Sequence, residues 1–142
     1  MVELRAPLSG SARRALMPAS DMEVLGVRES LDLLGSVSLG RLVFTENALP
    51  AIRPVNFALL RGDIFLRAEG ALARRLDQVV VAFEADEFDP ATERGWSVVV
   101  LGRARVIREL ERLAQLGAAI PPPWEPGGDF DVLCISVERV TG

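Results

Sequence analysis

Residues Gly40–Phe57 read GRLVFTENALPAIRPVNF, and Leu42 and Phe44 alternate with Arg41 and Val43 at the period of a half-buried strand. Asn47 and Pro50 mark a turn, and the strand that follows carries Arg53, Pro54 and Asn56 among apolar neighbours. Polar groups inside an apolar strand are costly unless something bonds them, and a ligand is one candidate. The same patterning predicts strands at Arg41–Thr45, Ala51–Leu60, Ile64–Arg67, Val79–Glu84, Trp96–Ile107 and Phe130–Val140. Leu60-Arg61-Gly62-Asp63 reads as a tight hairpin turn.

Helical spacing is confined to short pieces. Val27, Leu31 and Leu34 share one face of a helix predicted over Val27–Leu34, with Gly35 as its stop. Gly70–Asp77 reads as a second, with Leu72 and Leu76 inward and Arg74 and Arg75 toward the outside. Arg108–Leu116 reads as a third, followed by a Pro- and Gly-rich loop, Pro121–Gly128. Ser20 and Glu23 match the capping-box spacing, but Gly26 interrupts a helix there, and a short extended piece at Met22–Leu25 fits better. Residues 1–19, rich in Arg, Ala, Ser and Pro, show no clean period and read as a flexible arm; 20–142 read as a single domain. Many short strands, tight turns and capping helices predict a small closed β-barrel.

Composition narrows the chemistry. The 142 residues contain no histidine, lysine or tyrosine, so all 16 basic residues are arginine. A Ser-His-Asp triad, a Cys-His pair, a histidine-bound metal or haem and a lysine Schiff base are therefore excluded within one chain. One cysteine, Cys134, sits among apolar neighbours in VLCISV and reads as a buried structural thiol. Glu84, Asp86, Glu87 and Asp89 form an acidic run that reads as solvated, and no metal site is assigned. The net charge of −4 argues against nucleic acid, and no apolar run is long enough to span a membrane. A cytoplasmic location is the default expectation. Redox chemistry in such a chain requires a bound cofactor.

The Gly40–Phe57 stretch, IFLRAEGA (Ile64–Ala71), VAFEADEFD (Val81–Asp89) and GWSVVVLGRA (Gly95–Ala104) together resemble a known family. They are similar, in order and over about Val24–Val106, to pyridoxamine 5′-phosphate oxidase-like proteins of the FMN-binding split-barrel superfamily, nearest the nitroimidazole-resistance-like branch. The resemblance implies a mainly β split barrel with short capping helices, a homodimer, and a flavin cleft at the subunit interface. It implies a flavin-dependent oxidoreductase-like function with FMN as cofactor and no assigned substrate. Arg53, Pro54, Val55 and Asn56 match the strand that lies against the flavin ring, and Trp96 and Ser97 match a strand start near the cofactor.

The phosphate box departs from the family pattern. Relatives commonly read F-R-T-x-x-G-S-K; here Arg67, Ala71 and Leu72 stand at the Thr, Ser and Lys positions. Loss of one charge-assisted hydrogen bond costs about 1.5–3 kcal/mol, so weakened FMN binding is expected unless Arg67, Arg74 or Arg75 restores the charge. The tail lacks the histidine and the terminal basic segment common in relatives. Two alternatives follow: a non-enzymatic member that has lost FMN, and a deazaflavin-binding relative. The substrate-end basic residues of true pyridoxamine phosphate oxidation are not visible. No catalytic acid or base stands out; Glu84 and Asp86 read as structural.

Overall fold

The computed structural model describes residues 3–7, 23–123 and 128–142, with side chains described from 23 onward. Among these residues the elements are β1 (Glu3–Pro7), β2 (Glu23–Leu25), α1 (Val27–Leu34), β3 (Leu39–Glu46), β4 (Leu49–Leu60), β5 (Asp63–Glu69) and α2 (Gly70–Leu76). They continue with β6 (Val80–Asp89), β7 (Arg94–Val106), α3 (Leu110–Leu116), β8 (Phe130–Ile135) and β9 (Arg139–Thr141).

Neighbouring strands pair antiparallel in the order β7–β6–β3–β4–β5–β8, and β8 pairs back onto β7. That closure makes a six-stranded barrel, which removes the exposed edges an open sheet would carry. The long β7 serves three partners along its second edge: β1 near Arg94–Ser97, β9 at Val99–Leu101 and β8 at Ala104–Val106. The two tight turns are two-residue hairpins with left-handed central residues, Asn47 and Ala48 (φ 53° and 63°) and Arg61 and Gly62 (φ 53° and 83°). Such turns match the twist of the strands they join. Pro50 lies in β4 opposite Thr45, not in the turn.

The barrel is filled by strand residues of one parity, among them Leu42, Phe83, Val98, Val100 and Leu133, all with no exposed surface. Leu34 of α1 and Leu72, Ala73 and Leu76 of α2 join this core. Val27 departs from its expected inward place and is exposed, while Leu31 is half-buried and Leu34 fully buried. Gly35 ends α1 in ordinary right-handed geometry, its N–H bonded to Leu31 O at 2.9 Å. A second, smaller core lies outside the barrel wall under α3, built from Phe65, Ile107, Ile120, Val132 and Cys134. Cys134 is buried there as expected, and burial pushes its thiol pKa up.

Three expected boundaries move. Glu3–Pro7, placed in the flexible arm from sequence, form a strand on β7 and β2; residues 8–22, including the Ser20 capping position, lie outside the described residues. The acidic run stays in strand through Asp89, because β6 pairs continuously with β7 from Val80↔Arg103 to Asp89↔Arg94. The expected last strand is broken into β8 and β9. Between them Ser136 crosses Gly102 so closely that a Cβ there would lie 1.7 Å from Ser136 O. Among the described residues no helix is long and apolar enough to cross a membrane.

Candidate functional site

The barrel opens at one seam. The β4–β5 ladder runs from Leu60↔Asp63 to Phe57↔Leu66 and stops. Continuing it would set Asn56 against Arg67 and Val55 against Ala68, but the strands part instead. Each keeps its other neighbour: β4 stays on β3 through Leu39↔Asn56 to Glu46↔Leu49, and β5 stays on β8 through Glu69↔Phe130. Pro54, with no N–H, cannot donate to a ladder across the gap. Between the parted edges lies a cleft of about 510 Å³, lined by Arg53–Asn56 on one side and Arg67–Leu72 on the other.

Register explains why Arg53 marks this place. It pairs with Leu42, and the row continues through Phe83 and Val100, all three fully buried. A cation at a core-facing position is tolerable only where the wall is open to water or a ligand. The Arg53 side chain is exposed and makes no hydrogen bond or ion pair among the described residues.

Two further candidates in the cleft are already engaged. Arg67 Nη2 donates to Gly117 O at 3.0 Å, and Asn56 Nδ2 to Pro122 O at a long 3.5 Å. Both bonds hold the segment that follows α3. Leu72, at the family's lysine position, is core with 6% exposure, while Ala71 is exposed in the lining. Asp77 closes α2: its Oδ1 accepts from Val106 N at 2.9 Å and its Oδ2 from Arg108 Nη2 at 3.1 Å. The bond from Val106 N–H, helped by Arg108, holds the Asp77 carboxyl below its ordinary value.

Trp96 and Ser97 do not join this cleft. Trp96 points into the barrel core at 9% exposure. Ser97 faces outward, and its Oγ donates to Glu84 Oε1 at 3.2 Å. Glu84 also accepts from Arg41 Nη1 at 2.6 Å, and Asp86 shares that nitrogen at 3.2 Å. Burial raises the Glu84 pKa, with Asp86 adding to the rise and Arg41 opposing it. This cluster is a cross-strand ion network on the outer sheet face. It lies apart from the cleft, and no acidic group of three or more suited to a metal occurs among the described residues.

The cleft contains residues that strand pattern alone did not single out. Pro123, Asp129 and Phe130 line it, and Phe130 places an aromatic ring in the lining. Their only signal was position: GGDF follows a proline loop and opens a strand. Taken together, the site offers an unladdered strand edge, an apolar base, and a rim where Arg53, Arg67 and Arg74 outnumber the carboxylates of Glu69 and Asp129. That donor set suits a flat heteroaromatic ligand with an anionic arm, and contains no evident proton-transfer pair.

Comparisons with known proteins agree with this fold. The profile of the pyridoxamine 5′-phosphate oxidase family matches residues 27–142. The Mycobacterium tuberculosis protein Rv0080 is 40% identical over 140 residues, covering 94% of this chain and 91% of that protein. A Corynebacterium glutamicum structure named for pyridoxamine 5′-phosphate oxidase is 34% identical, with TM-score 0.72 over 84% of this chain and 89% of that one. The FAD binding protein of Mycobacterium smegmatis is 33% identical, with TM-score 0.69 over 82% of this chain and 93% of that one. At the level of fold alone the likeness reaches a Bacteroides thetaiotaomicron structure named for 5-nitroimidazole antibiotic resistance, 11% identical with TM-score 0.64 over 81% of each chain. Open seam, strand order and family profile coincide, and the chain belongs to the pyridoxamine 5′-phosphate oxidase family of split-barrel proteins.

Proposed function

We propose that the protein binds a flavin nucleotide, FMN or FAD, in the cleft between β4 and β5 and is a flavin-dependent oxidoreductase-like protein. The observation that carries this reading is the parted ladder. It leaves one backbone edge of Arg53–Asn56 unpaired with β5, beside a cleft of about 510 Å³. Clefts for ligands of this size run about 300–1,000 Å³. The Mycobacterium smegmatis relative, whose name records FAD binding, supports a flavin and leaves both nucleotides as candidates.

The flavin, when bound, supplies the electron chemistry. This chain's residues bind and orient it. Backbone groups of Arg53–Asn56 would hold the ring edge, Phe130 would help to exclude water from the ring, and Arg53 places positive charge at the rim. Arg53→Ala should weaken flavin binding by tenfold or more, the scale of a charge-assisted hydrogen bond of about 1.5–3 kcal/mol. Arg61→Ala, in the exposed hairpin turn, should leave it unchanged. Equal affinities of the two variants would mean that the cleft is elsewhere.

The same reading includes a homodimer. Ile52, Val43, Ala82 and Leu101 stand opposite one another across four strands on the outer face, an apolar row in which Ile52 is 64% exposed. A contiguous apolar strip of this kind favours a protein partner. A two-fold partner presenting the same strip would cover it.

A further inference from the structure

We infer that Arg74, and not Arg67, is the cation that receives the phosphate of the flavin nucleotide. This rests on the proposed flavin cleft. The box residue that carries the ammonium in relatives is Leu72 here, buried in the barrel core, so any cation must come from elsewhere.

The arginines around the cleft sort by what they already hold. Arg75 Nη1 is bound to Glu46 Oε1 at 2.9 Å, and Arg67 Nη2 to Gly117 O at 3.0 Å. The Arg74 side chain lines the cleft with no hydrogen bond or ion pair among the described residues. It shares that freedom with Arg53, but Arg53 belongs to the opposite wall, on β4.

Arg74 lies four residues after Gly70 on the same helix face, and helical side chains lean back toward the N-terminus. Its Nη1 would stand 3.1 Å from a Cβ added to Gly70. The guanidinium therefore lies across the bare backbone of Gly70, at the edge of the cleft. A methyl group at position 70 would shift it by only a few tenths of an ångström. The Gly70 N–H already donates to Asp129 O at 2.9 Å, so that backbone donor is taken. The competing acceptor is the Asp131 carboxylate, whose Oδ2 lies 3.6 Å from the same point above Gly70. It forms no ion pair with Arg74 among those found in the described residues. A guanidinium fork held this way suits two phosphate oxygens.

The test is a fluorescence titration of FMN and of riboflavin against the unaltered protein, Arg74→Ala and Arg75→Ala. Arg74→Ala should lose about tenfold or more in FMN affinity and nothing in riboflavin affinity, while Arg75→Ala should match the unaltered protein. Unchanged FMN affinity in Arg74→Ala overturns the assignment while leaving the flavin cleft intact. Failure of the unaltered protein to bind any flavin overturns the cleft reading and the assignment together.

Discussion

Arg67 Nη2 donates a 3.0 Å hydrogen bond to the carbonyl oxygen of Gly117, joining the cleft wall to the end of α3. The last carbonyls of a helix lack intrahelical partners, and a cation there satisfies one while complementing the helix dipole. The residue at the family's threonine position thus fastens the α3 segment over the smaller core of Phe65, Ile107, Ile120, Val132 and Cys134. Asn56, on the opposite lip, reaches the same segment through Pro122 O.

Arg67→Ala should therefore be a stability variant before it is a binding variant. Loss of a charged donor to a half-buried carbonyl costs about 1.5–3 kcal/mol. Urea denaturation should show a lower midpoint with an unchanged slope. An unchanged midpoint would mean that the bond contributes nothing and that Arg67 is free for the cleft.

Gly102 is set by the approach of Ser136. A Cβ there would sit 1.7 Å from a backbone oxygen, which cannot swing aside as a side chain could. Gly102→Ala should cost at least the upper part of the range of about 1–3 kcal/mol seen for overpacking, and open the β7 seam where β8 hands over to β9. Thermal unfolding measures it. A variant as stable as the parent would show that the chain crosses β7 differently.

Asp77 gives a pH dependence whose sign can be worked out. Its folded pKa lies below the ordinary 3.8, first because of the Val106 N–H and then because of Arg108. A depressed carboxylate adds stability above its unfolded pKa and loses it as the pH falls through the folded one. Asp77→Asn should thus be less stable than the parent at neutral pH, and the gap should close in acid below the ordinary value. Denaturation curves at a series of pH values test this; a gap that persists or widens in acid contradicts it.

Much of the barrel was legible because alternation reports which strand face is buried. The helix at Val27–Leu34 and the hairpin at Leu60–Asp63 sit where spacing and turn residues placed them. The break after Ile135 was not legible, since it depends on Gly102 being passed by a distant segment. Half of the site was readable as polar residues inside an apolar strand, Arg53 through Asn56. The rest needed three dimensions. Whether Trp96 faced the core or a ligand depended on β7 register, and Arg74 and Arg75 became distinguishable only through the ion pair to Glu46 and the bare backbone of Gly70.

The most direct measurement is the visible absorption spectrum of the purified protein titrated with FMN and, separately, with FAD. Flavin held in the cleft should give a saturable spectral change at one equivalent per chain with at least one of the two nucleotides, weakened tenfold or more by Arg53→Ala on the estimate of about 1.5–3 kcal/mol for a charged hydrogen bond. No saturable change with either nucleotide, or a change that Arg53→Ala leaves untouched, would contradict a flavin site between β4 and β5.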